Sequence, residues 1–177
     1  YSDIWGETVD LLNGTGTDAP DADRLEGGCT SHSLLRNYVL INSPSSIAGF
    51  CNAGAAAFGP ALDATGVTGD VVLADDGLAP TSNGCEPFVN GAAVSGNIAL
   101  VDRGTCGFAV KVANAQAAGA TGVLVADNVW GPPDPLGGVD PTITIPSVRV
   151  TLLTGNQIKT ELAGGAVNVT MRLGLPS

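Results

Sequence analysis

The segment Gly96–Asn128, reading GNIALVDRGTCGFAVKVANAQAAGATGVLVADN, constrains this chain more than any other, because it lays out strand, turn, helix and strand in order. Ile98 to Val101 is an unbroken apolar run of strand formers, and Asp102-Arg103-Gly104 ends it. Ala109 to Ala118 has helical composition, and Gly119 stops that helix before a second apolar run, Val123 to Ala126. Two apolar strands joined by a helix make a βαβ-like unit and predict an α/β layered domain. Cys106 falls in the loop at the carboxyl end of the first strand, where α/β folds commonly carry their binding loops.

The flanking sequence supplies shorter elements. Tyr38 to Asn42 and Val71 to Ala74 read as strands, Ile47 to Phe58 as extended chain, and Val89 to Val94 as a short helical turn. Asn128 to Pro146 is rich in proline and glycine and continues neither a helix nor a central strand, which predicts a long surface loop. Ile145 to Val150 resumes strand. Thr151 is placed to cap a helix over Leu152 to Leu162, and the alternation of Val167, Val169, Met171 and Leu173 predicts a half-buried closing strand. Residues before about Thr30 show no sustained period and are expected to form a loop-rich arm.

Charge and cysteine content narrow the function. Seven basic against seventeen acidic residues give a formal net charge of -10, which argues against a phosphate backbone as partner. No apolar run reaches the ~20 residues that span a bilayer, so no membrane partner is expected. The chain begins at Tyr1, as expected of a processed or excised fragment. Cys29, Cys51, Cys85 and Cys106 permit three pairings, and without a Cys-x-x-Cys knuckle disulfides are expected in place of zinc.

Chemistry is sparse. His32 is the sole histidine, and no Gly-x-Ser-x-Gly elbow, His-Glu-x-x-His helix or phosphate loop is present, so no catalytic residue, metal or cofactor is expected. Asp18, Asp21, Asp23 and Glu26 crowd one loop without EF-hand spacing, and a solvated acidic arm is the simpler reading than calcium. The sequons at Asn13 and Asn168 are read as chance, the second because it lies in a predicted strand.

Through Gly96, the IALVDRG run, Cys106, Phe108, Lys111, the NAQAAGA run of Asn114 to Ala120, and Asp127-Asn128, the chain resembles the protease-associated domain. The likeness continues through Ile145-Pro146-Ser147-Val148 to Leu173, and more faintly back through Cys85 to Tyr38. This is a non-catalytic module inserted in, or fused to, secreted and lumenal peptidases and some sorting receptors. The resemblance implies a compact β-barrel-like sandwich with flanking helices, a three-layer ββα arrangement. It places the domain at residues 38–173, after an arm at 1–37 and before a tail at 174–177. The family pattern also implies a Cys85–Cys106 bridge, which leaves Cys29 with Cys51 by elimination.

What the resemblance implies for function is a binding surface in a secreted, bacterial, extracellular peptidase, with protein or peptide substrate and the parent's own domains as partners. A structural spacer that stabilises its host is the alternative. The expected peptide contacts are Arg103, Gly104, Thr105, Gly107 and Phe108 in the loop after the IALVDRG strand. Asn128 and Trp130 join them from the second loop, and Lys111 and Asn114 support the first loop from the helix. Arg103 suits a carbonyl or terminal carboxylate through its planar fork, and the glycines admit a peptide backbone. Against this stand three plainer readings: Arg103 pairs with Asp102 or Asp127, Phe108 anchors the core, and Trp130 folds back as a lid.

Overall fold

The apolar runs of the βαβ-like unit become parallel strands, as unbroken hydrophobicity on both faces requires. The computed structural model describes residues 36–174. Seven strands close into a barrel, β1 (Asn37–Ser43), β2 (Gly49–Ala55), β3 (Val67–Leu73), β4 (Ile98–Asp102), β5 (Gly122–Ala126), β6 (Ser147–Val150) and β7 (Asn168–Leu173). Around it lie α1 (Gly91–Val94), α2 (Phe108–Ala117) and α3 (Leu152–Leu162). The order is β1-β2-β6-β5-β4-β3-β7, with the first and last strands paired antiparallel, Asn37 opposite Leu173. The chain is thus the α/β barrel-like sandwich with flanking helices that its sequence implies.

Strands β3, β4, β5 and β6 run parallel, so their carboxyl ends and the loops that follow share one end of the barrel. Alternation along β4 sends Ile98 and Leu100 to the barrel interior, with Leu124, Val148, Met171 and Ile158 of α3. Ala99 and Val101 face outward onto α2, where Val112 and Ala115 meet Val123, Val125 and Leu136. That division gives the three layers.

Local signals hold where the chemistry is local. Thr151 caps α3 by accepting the Thr154 N–H at 3.1 Å. After α2 the Gly119 N–H bonds to the Gln116 carbonyl and the Ala120 N–H to that of Ala115, a Schellman motif that puts Gly119 at φ 86°. A side chain there would press on Ser95. The structure departs from the sequence reading at β3, which starts at Val67 and changes partner along its length. Val67 to Asp70 pair antiparallel with β7, and Val71 to Leu73 pair parallel with β4. The Pro/Gly loop also gains one pairing, a parallel bridge from Leu136 to Ala56.

Candidate functional site

Arg103 leaves β4 at the carboxyl end of the parallel strands, the position that βαβ topology reserves for loops. Its guanidinium donates to Asp127 at 2.9 Å, while about a third of the side chain stays exposed. Asp127 itself is buried, directly after β5, and also accepts Nε of Arg149 at 2.7 Å together with that residue's Nη2. The Asn128 N–H donates to the same carboxylate at 2.8 Å. Burial alone would raise the Asp127 carboxyl, but the hydrogen bonds from Arg103, Arg149 and Asn128 and the Arg149 charge outweigh it and hold the group below the usual carboxylate value. Of the two acids open to Arg103, the partner is therefore Asp127. Asp102 turns instead to Lys159 at 2.6 Å and Ser82 at 2.5 Å.

The turn after Arg103 is fixed from beneath. Cys106 is bridged to Cys85, as the family pattern implies, and its N–H bonds back to the Gly104 carbonyl at 2.8 Å across Thr105. Thr105 takes φ 67°, a left-handed conformation that a β-branched residue seldom adopts. Lys111, on the first turn of α2, is fully buried. It donates to the Gly104 carbonyl at 2.7 Å and to that of Asn83, and so ties together the two segments that the disulfide joins. Desolvation pushes its ammonium pKa down, against the charges of Asp102 and Asp76, which raise it. Asn114 donates to the Gly84 carbonyl at 3.0 Å. Both residues sit under the loop, in the supporting place the sequence suggests.

The outer surface of this end is open. A side chain at Gly107 would meet no protein atom within 4 Å. Phe108 is half-buried against the α2 side of the core, so it serves packing while keeping one edge accessible. Trp130 is 65% exposed and is not folded back as a lid. Asn128 is exposed, and its amide lies 3.7 Å from where a Gly104 Cβ would stand. The structure thus sets Arg103, Gly104, Thr105 and Gly107 on one turn, Asn128 beside it, and Trp130 two residues on.

Sequence reasoning missed Arg149, Asp76 and Asn83. Arg149 sits in the apolar run SVRV, and its burial follows from the Asp127 carboxylate 22 positions earlier. Asp76 is buried and accepts the Cys85 N–H at 3.0 Å. Asn168 of the second sequon bonds Asp70 and Asn42 across the sheet, at 2.7 and 2.8 Å. Cys29 of the expected Cys29–Cys51 bridge, His32, Asn13 and the acidic arm lie outside the described residues, while Cys51 is buried on β2 and is not a free thiol. No described group of three His, Cys, Asp or Glu is placed to hold a metal, and no described helix is long and apolar enough to cross a membrane.

Comparison with known proteins adds to this geometry. A family model described as "PA domain" matches residues 67–158, more than half of the chain. The chain is similar to vacuolar-sorting receptor 1 of Pisum sativum, 33% identical over 153 residues that cover 77% of this chain and 23% of the receptor. It is also similar to leucine aminopeptidase 2 of Trichophyton rubrum, 37% identical over 52% of this chain and 19% of that enzyme. Among solved structures, an aminopeptidase from Aneurinibacillus sp. strain AM-1 superposes with a TM-score of 0.60 at 26% identity, over 81% of this chain and 31% of that one. The chain spans about a quarter or less of the length of these curated relatives.

Proposed function

The chain belongs to the PA domain family, and from that membership we propose that it is a non-catalytic interaction module of a larger secreted peptidase. In that setting it holds an extended stretch of protein substrate or governs its access to the active site. The contacts are Arg103, Gly104, Thr105, Gly107 and Phe108 on the first turn, with Asn128 and Trp130 on the second. The observation that carries the reading is the posture of Arg103, whose guanidinium is oriented by a buried carboxylate yet keeps an exposed edge beside an open turn. Oriented donors lose little freedom when they meet a peptide carbonyl or carboxylate. Trp130 adds an aromatic anchor of the kind that concentrates binding energy. The disulfide supports an oxidising compartment outside the cytosol.

Titration with casein-derived peptides, followed by tryptophan fluorescence, tests the reading, and Trp130→Phe shows whether the responding ring is Trp130. Loss of affinity in Arg103→Ala with unchanged melting supports the turn as the site, whereas unchanged affinity removes it. Cleavage of casein by the purified chain alone would overturn the non-catalytic assignment. A second reading, in which the module packs on its host and binds no free peptide, is favoured by Val139, 90% exposed, with Leu78 and Val89 also exposed on loops. Absence of any peptide response, together with tight association with a catalytic domain added in trans, selects that reading.

A further inference from the structure

The Lys111 ammonium lies 3.5 Å from Cys85 Sγ, and its other hydrogen bonds go to the carbonyls of Asn83 and Gly104. No described carboxylate is in hydrogen-bond contact with it. Asp102 is engaged by Ser82 and Lys159, and Asp76 by the backbone N–H groups of Leu78, Cys85 and Glu86. The charges of Asp102 and Asp76 reach this buried cation without touching it, and the nearest atom able to become a contact counter-ion is the Cys85 sulfur. Both cysteines are half-buried, and their sulfurs differ in surroundings. Cys106 lies between the exposed Thr105 and Gly107, whereas the Cys85 sulfur has the Lys111 ammonium beside it.

We propose that Cys85–Cys106 is a thiol-exchange site with a fixed direction, in which an incoming thiolate attacks Cys106 and Cys85 departs as a thiolate paired with Lys111. The attacking sulfur forms a bond to Cys106 Sγ. The Cys85–Cys106 bond breaks, and its electron pair leaves on Cys85. With a dithiol reductant, the second thiol then attacks the mixed disulfide and closes the reductant into its own disulfide. Cys106 takes up one proton, the other goes to solvent, and two electrons pass to the protein. Exchange is faster when the departing thiol is the more acidic, and a cation at contact distance makes Cys85 that thiol. Reduction would release the turn of residues 103–107 from the segment around Asn83. Any effect of that release on ligand rests on the function proposed above, but the direction of exchange does not.

The folded chain is incubated with glutathione, quenched with iodoacetamide and mapped by peptide mass spectrometry. The expected product carries glutathione on Cys106 and carbamidomethyl on Cys85. Glutathione on Cys85, or no exchange until the protein unfolds, overturns the proposal. The rate with dithiothreitol supplies a second reading, since Lys111→Met is expected to slow reduction about tenfold. An unchanged rate in that variant counts equally against it. The wild-type map decides the direction even where the variant does not fold, and loss of peptide binding leaves that map unaltered.

Discussion

The two loops that share the carboxyl end of the parallel strands are built on opposite principles. The turn after β4 is short and over-determined: a disulfide, a buried ammonium and an ion pair fix five residues, Arg103 to Gly107. The loop after β5 runs from Asp127 to Pro146 and is held chiefly by Leu136, which is buried and bridged to Ala56, and by Gln116, which bonds Thr142 and Thr144. A side chain at Gly54 would collide with the Pro133 and Asp134 carbonyls, so this loop lies directly on the β2 backbone. The first loop offers oriented polar groups and little apolar surface. The second offers Val129, Trp130 and Val139 to solvent. Orientation and adhesion are thus divided between a rigid and a lightly moored segment, with Asp127 as the residue both use.

Breaking that shared residue has the largest expected effect. Asp127→Asn leaves the buried Arg149 with only the exposed Asp134, 4.0 Å away, and is expected to destabilise by about 3–5 kcal/mol, read as a lowered denaturant midpoint with unchanged slope. The carboxyl also gives the comparison a pH signature. Its folded pKa is depressed, so its stabilisation is present above the ordinary unfolded value of about 4 and is lost as pH falls through the lower folded value. Melting temperature below about pH 4 should therefore drop more steeply in the wild type than in Asp127→Asn.

Of the two loops, Leu136→Ala attacks the second, and with the cavity it leaves in the core is expected to remove about 2–5 kcal/mol. Limited proteolysis should then cut between residues 128 and 146 while the Cys85–Cys106 peptides stay linked; cutting at the first turn instead would contradict the division. Gln116→Ala should cost about 1 kcal/mol and speed amide exchange at Thr144, whose N–H it accepts at 2.6 Å. Smallest in stability is Trp130→Ala, expected within about 0.5 kcal/mol of wild type because the ring is exposed. Its peptide affinity should nonetheless fall, and an unaltered affinity would strip the second loop of its adhesive part.

How much of this was legible follows from the range of each interaction. The β4-α2-β5 unit, the Thr151 cap and the stop at Gly119 depend on neighbours within a few positions, and the sequence states them. The partner change along β3 and the closure of β1 on β7 join residues about a hundred or more positions apart, with no local mark. For the site, position was readable and wiring was not. Arg103 and Asp127 stand at strand ends in the sequence, but Arg149 is an arginine inside an apolar strand, and only the parallel pairing of β5 with β6 brings it to Asp127. Lys111 and Asn114 were readable as supports through the resemblance, whereas the carbonyls they hold belong to a segment about thirty residues upstream.

The pairing of Asn37 with Leu173 has a further consequence, because cross-strand neighbours stand only about 5 Å apart. A polypeptide can enter this barrel and depart from it through the same doorway. Spliced into a surface turn of another protein, the whole barrel would hang as a pendant, and the recipient's backbone would need to part by little more than the width of one residue.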